Sequence, residues 1–140
     1  MRGLAVVLAL GFLGGVGPAE AGDAGNAKKP RLDLRASPRM AFSPVSVLVV
    51  AELKGGGDHE DYYCPGLEWD WGDGNLSSQE SDCEPFQDGS TVERRFTARH
   101  AYRAAGNYSV RLTLRRASRT VAVASVPVVV HGRGESEEEY

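Results

Sequence analysis

Between Val45 and Leu53 the chain alternates strictly: Val45, Val47, Val49, Ala51 and Leu53 fall on one side, with Ser46, Leu48, Val50 and Glu52 on the other. The first row has no polar member, so it predicts the inward face of a β-strand, and its β-branched content favours strand over helix. The same period returns at Tyr108, Val110, Leu112 and Leu114, set against Ser109, Arg111, Thr113 and Arg115. Arg31 to Ala36 alternates charge with apolar residue, the pattern of a half-buried or edge strand that Ser37-Pro38 ends. Leu67, Trp69 and Trp71 form a further inward row, because residues two apart on a strand share a face.

The connecting stretches carry turn chemistry. Gly55-Gly56-Gly57 closes the Val45 strand, Gly72-Asp73-Gly74 closes the tryptophan strand, and Arg116-Ala117-Ser118-Arg119 supplies a hairpin loop. Thr120 to Val130 is a long valine-rich strand, and Pro127 within it predicts an edge position or a nearby bulge. Thr91 to Thr97 can form another strand, in which Val92 and Phe96 are poorly phased without a bulge; His100-Ala101-Tyr102 then leads towards the turn at Ala105-Gly106-Asn107. Asn75 to about Ser90 reads as a polar, irregular insertion. The count is six or seven short strands and no helical stretch, which predicts an all-β, immunoglobulin-like sandwich.

The start of the chain has the three parts of an export signal. Met1-Arg2 is basic, Leu4 to Val16 is apolar or glycine, and Ala19-Glu20-Ala21 supplies an A-x-A cleavage site. The apolar run falls short of the roughly 20 residues that a membrane span needs. Residues 1–21 are therefore expected to be a signal peptide and 22–31 a flexible lead-in, with the domain at 32–132. The acidic, apolar-poor 133–140 is expected to be a disordered tail. Export to a secreted or periplasmic setting lets Cys64 and Cys83 pair as a disulfide, the alternatives being a two-thiolate metal site or a catalytic thiol. The formal net charge of −3 implies no strong single-sign field and gives no reason to expect nucleic acid.

Trp69-Asp70-Trp71-Gly72-Asp73-Gly74 resembles the W-D-F-G-D-G motif of the PKD domain, with Trp71 in place of phenylalanine. His100-Ala101-Tyr102 is similar to the family's H-x-Y, and Gly106-Asn107-Tyr108-Ser109-Val110-Arg111-Leu112 to its G-x-Y-x-V-x-L. The resemblance runs from about Leu32 to Val130. It implies the immunoglobulin-like sandwich first described in polycystin and common in secreted bacterial proteins. It also implies a non-catalytic module that acts as a spacer or contacts protein or carbohydrate. The Asn75–Ser90 insertion is longer than the family's usual connection.

Candidate chemistry is sparse. Only His59, His100 and His131 are present, without a G-x-S-x-G elbow, an H-E-x-x-H helix or a phosphate-cradling glycine loop. No enzyme is expected. His100 is expected to make a structural hydrogen bond, and Asp70 and Asp73 are expected to make turns rather than serve as an acid/base pair. Calcium is a possible cofactor through Asp58, Glu60 and Asp61 or through Asp70 and Asp73. Neither stretch has EF-hand spacing, so no metal site is assigned and Asp58–Asp61 reads as a solvated loop.

For contact surfaces, Tyr62 and Tyr63 are the aromatics that the core does not claim. Arg111, Arg115 and Arg116, with Arg119, would form a cationic face together with Arg94, Arg95, Arg99 and Arg103 if their strands are neighbours. The expected partner is an extracellular or periplasmic protein, or alternatively a glycan.

Overall fold

Residues 29–133 are described by a computed structural model; the expected signal peptide, most of the lead-in and nearly all of the acidic tail lie outside them. The strands are β1 (Arg31–Ser37), β2 (Met40–Phe42), β3 (Val45–Lys54), β4 (Gly66–Asp70), β5 (Leu76–Gln79), β6 (Arg95–Tyr102), β7 (Gly106–Arg116) and β8 (Arg119–His131). One 3-10 turn, Glu60–Tyr62, stands between β3 and β4. They form two sheets, ordered β1-β3-β6 and β2-β8-β7-β4-β5. The β2–β8 pair is parallel and the other pairs are antiparallel.

The alternating rows do what their pattern requires. Val47, Val49, Ala51 and Leu53 from β3 meet Val110, Leu112 and Leu114 from β7 across the sandwich, and all seven are buried. Trp69 and Trp71, with Phe96 and Tyr102, fill the same core. β1 is an edge strand, with Leu32 and Ala36 turned inward. The fold is the immunoglobulin-like sandwich expected from the rows.

Four details differ from the sequence reading. The strand expected at Thr91 starts instead at Arg95 and runs on through His100 and Tyr102. Val92 is buried before the strand begins, its N–H held by Asp58 Oδ1 at 2.9 Å, and Arg94 turns aside to the carbonyls of Leu53 and Gly55. No bulge is needed, because Val92 reaches the core from irregular chain. Second, Leu76–Gln79 of the supposed insertion pairs with β4 as β5.

Third, β8 is not the edge along its whole length. β2 covers it at Val129 to His131, just beyond Pro127, so the proline's missing donor faces no ladder on that side. The bulge lies at the other end, where the register slips between Leu114↔Ala122 and Arg115↔Thr120. Fourth, β6 and β7 belong to different sheets, so their arginines do not merge into one cationic face.

Candidate functional site

The motif around Trp69 builds a corner that ties the two sheets together. Asp70 Oδ1 accepts from the Gly72 N–H at 2.9 Å, and Asp73 Oδ1 accepts from the Asn75 N–H at 3.0 Å. Each aspartate thus makes the turn two residues ahead of itself. Gly72 has φ +79°, and a Cβ there would lie 2.7 Å from the Ser109 carbonyl oxygen. Only glycine satisfies both conditions.

A file of rings crosses from one sheet to the other. Trp69 and Trp71 stack at 5.3 Å, Trp71 stacks on His100 at 4.6 Å, and His100 meets Tyr102 edge-on at 4.8 Å. Tyr102 then stacks on Tyr108 at 4.3 Å. The Tyr102 hydroxyl donates to the Trp71 carbonyl at 2.7 Å, a buried bond from β6 to the chain leaving β4. Burial, reinforced by the nearby Asp73, Tyr108 and Asp70 charges, pushes the Tyr102 phenol far up, so it stays a donor. The Tyr108 hydroxyl donates to the Ala104 carbonyl at 2.7 Å, which fixes the turn before β7. Gly106 leaves room for that ring, since a Cβ would come within 3.0 Å of it.

His100 and Asp73 complete the corner. His100 Nε2 lies 2.7 Å from Asp73 Oδ2, and both side chains are largely buried. Burial alone would raise the Asp73 carboxyl. Hydrogen bonds from His100 and Asn75, together with the His100 charge, outweigh it and hold the group below the ordinary range. Among the described residues the one buried side-chain polar atom without a partner is Trp69 Nε1, whereas Trp71 Nε1 donates to Ser77 Oγ at 2.9 Å.

At the opposite end of the sandwich a second cluster surrounds the Cys64–Cys83 disulfide, whose Cα atoms are 6.2 Å apart. The metal-thiolate and catalytic-thiol alternatives fall with this pairing. The Tyr63 hydroxyl donates to the Glu84 carbonyl at 2.6 Å and its ring meets Phe86 edge-on at 5.3 Å, so the stapled segment is also held by side chains. Ser81 Oγ donates to the Pro65 carbonyl at 3.2 Å. Arg116 donates to the carbonyls of Glu60 and Tyr63 and lies 3.7 Å from the Glu60 carboxylate. Arg119 reaches Asp61 at 3.5 Å.

These contacts change the expected contact residues. Tyr63 and Arg116 brace the stapled end and do not form an open platform. Tyr62 is half-buried against the core, near the His59 ring. Arg115 pairs with Glu68 at 2.6 Å, and Arg95 lies 3.8 Å from Glu52. Arg111 is exposed in a shallow groove on the outer face of the larger sheet, with Glu68, Asp70, Leu76, Ser78, Thr113 and Val123.

Asp58, His59, Glu60 and Asp61 are all exposed, as expected of a solvated loop, and their acids also make contacts within the chain. Asp58 holds the Val92 N–H, Glu60 meets Arg116 and Asp61 meets Arg119. Among the described residues no group of three or more His, Cys, Asp and Glu side chains converges as metal ligands. No helix of the described residues is long and apolar enough to cross a membrane.

The search of solved structures finds similarity to the PKD domain of an M14-like peptidase from Thermoplasmatales archaeon SCGC AB-540-F20. The TM-score is 0.50 at 16% identity, covering 74% of this chain and 98% of that one. The fold is therefore PKD-like, as the motifs at Trp69, His100 and Gly106 imply. No protein-family model matches the sequence, and neither does any curated protein.

Proposed function

We propose that this chain is an exported, non-catalytic PKD-type module of a bacterial secreted or periplasmic protein, and that it acts by contacting another protein. The observation that carries this reading is the use made of the motif's titratable groups. Asp70, Asp73 and His100 each hold a turn or a sheet-to-sheet bond, which supports a structural use of the motif over an acid/base one. The disulfide fits an oxidising compartment. Residues 1–21 act as the export signal, 22–31 as a lead-in, 32–132 as the domain and 133–140 as an acidic tail. The protein reading is favoured over the glycan one, because the Tyr63 ring and hydroxyl are both engaged in holding the stapled segment.

Cross-linking mass spectrometry on the protein in its exported compartment tests the proposal. The reading predicts cross-links from its exposed surface to a defined protein partner, retained in Asp73→Asn. Turnover of a hydrolase substrate panel that disappears in Asp73→Asn or His100→Ala, with the fold intact, would overturn it.

A further inference from the structure

Two open sheets have four edges, and three of them here are guarded. β1 carries Arg31, Asp33 and Arg35, with Asp33 tied to Lys54 at 2.9 Å. β6 carries Arg95 and Arg99; β2 is a three-residue strand between Pro38 and Pro44, and beyond it the same side of β8 carries Arg119 and Pro127 and lies against β1. Charges, prolines and brevity are the usual defences of a strand edge. β5 is short, but its Leu-Ser-Ser-Gln has no charge and no proline, and all four residues are exposed.

The register shows which groups are open. The Trp71 N–H donates to the Asn75 carbonyl at 3.1 Å, so that facing pair is a hydrogen-bonded one. Antiparallel pairs alternate. With Asp70↔Leu76, Trp69↔Ser77, Glu68↔Ser78 and Leu67↔Gln79 in register, Ser77 and Gln79 bond to β4. The N–H and C=O groups of Leu76 and Ser78 therefore point away from the sheet. Leu76 is 74% exposed, and both side chains line the outer-face groove beside Glu68 and Asp70.

The chain that continues from β5 adds a sign. Glu80, Asp82, Glu84 and Asp88 are all exposed, and among the described residues none of their carboxylates enters an ion pair or hydrogen bond. The disulfide and the Tyr63 contacts hold this acidic run next to the open edge.

Resting on the reading of the chain as a protein-contacting module, we propose that the outer edge of β5 receives an extended, lysine- or arginine-bearing peptide segment of the partner as an added strand. Leu76 and Ser78 supply the main-chain hydrogen bonds, the groove takes alternate side chains, and the Glu80–Glu84 run meets the basic residues.

The test is an amide-resolved NMR titration of the full oxidised protein with an acetylated Thr-Val repeat peptide flanked by lysines. Saturable shifts and slowed hydrogen exchange are expected at the Leu76 and Ser78 amides. Ser78→Pro removes only an outward donor, so it should leave the β4 ladder intact while weakening the peptide about tenfold, or about 1.4 kcal/mol. If Ser78→Pro does not fold, Ser78→Lys keeps the backbone and should weaken the same probe by charge. Exchanging the peptide lysines for glutamates should also weaken it about tenfold.

The proposal is overturned by unchanged affinity in these variants, by shifts centred elsewhere, or by no binding of the lysine peptide. Protection of the two amides that rises with protein concentration and needs no peptide would also overturn it, by assigning the edge to a second copy. Failure here with cross-links persisting from another face would leave the wider reading standing.

Discussion

His100 of β6 and Asp73 of the turn after β4 meet at 2.7 Å across the two sheets, with the His100 ring lying flat on Trp71. The pair closes the sandwich at the same corner where the Tyr102 hydroxyl reaches the Trp71 carbonyl. Its charge makes the corner sensitive to acid. The folded-state value of Asp73 is depressed, so its contribution is fully present above the unfolded carboxyl value of about 3.9 and is lost as pH falls through the folded value. Chemical denaturation at a series of pH values should show this loss at the acid end. Asp73→Asn should be less stable at neutral pH by about 1–3 kcal/mol and should show a flatter acid limb.

Gly72 and Gly74 provide a contrast within one turn. Both have positive φ, but a Cβ at Gly72 would meet the Ser109 backbone while one at Gly74 would meet open space. Gly72→Ala should cost about 2–4 kcal/mol, combining the left-handed penalty with the clash. Gly74→Ala should cost about 1 kcal/mol. Thermal unfolding of the two variants measures the difference, and equal losses would mean that the Ser109 contact is relieved cheaply.

The disulfide closes a loop over a sequence separation of 19. Cys64→Ser with Cys83→Ser should lower stability by about 3 kcal/mol on the chain-entropy model. New protease cuts should appear between residues 80 and 90, while tryptophan fluorescence stays native-like. Cuts spread evenly over the chain would contradict the local role given to the staple.

The two tryptophans should respond differently to phenylalanine. Trp71→Phe loses the bond to Ser77 Oγ, whereas Trp69→Phe removes an indole N–H that is buried without a partner. Both lose ring area, but Trp71→Phe should be the worse by about 1 kcal/mol. Urea denaturation of the pair decides it.

Legibility in the sequence followed burial. β3, β4 and β7 each put a full apolar row into the core, so alternation alone revealed them. β5 is exposed at every position and β2 is three residues long, so neither leaves a row to read. The roles of Asp70 and Asp73 were visible because an aspartate two residues before its bonded N–H is a local device. The duties of Arg116 and Tyr63 were not, because their partners lie far along the chain at Glu60 and Glu84. The arginines of β6 and β7 are near in sequence but divided between two sheets, a separation that strand order decides and composition does not.

The motif's acid and histidine act as a latch between the sheets. A double-mutant cycle on Asp73→Ala and His100→Ala, read by chemical denaturation at neutral pH, measures that directly. The latch predicts a coupling of about 1–3 kcal/mol, with both single variants still folded. Additivity within about 0.3 kcal/mol would show that the two residues stabilise the fold independently, and would contradict it.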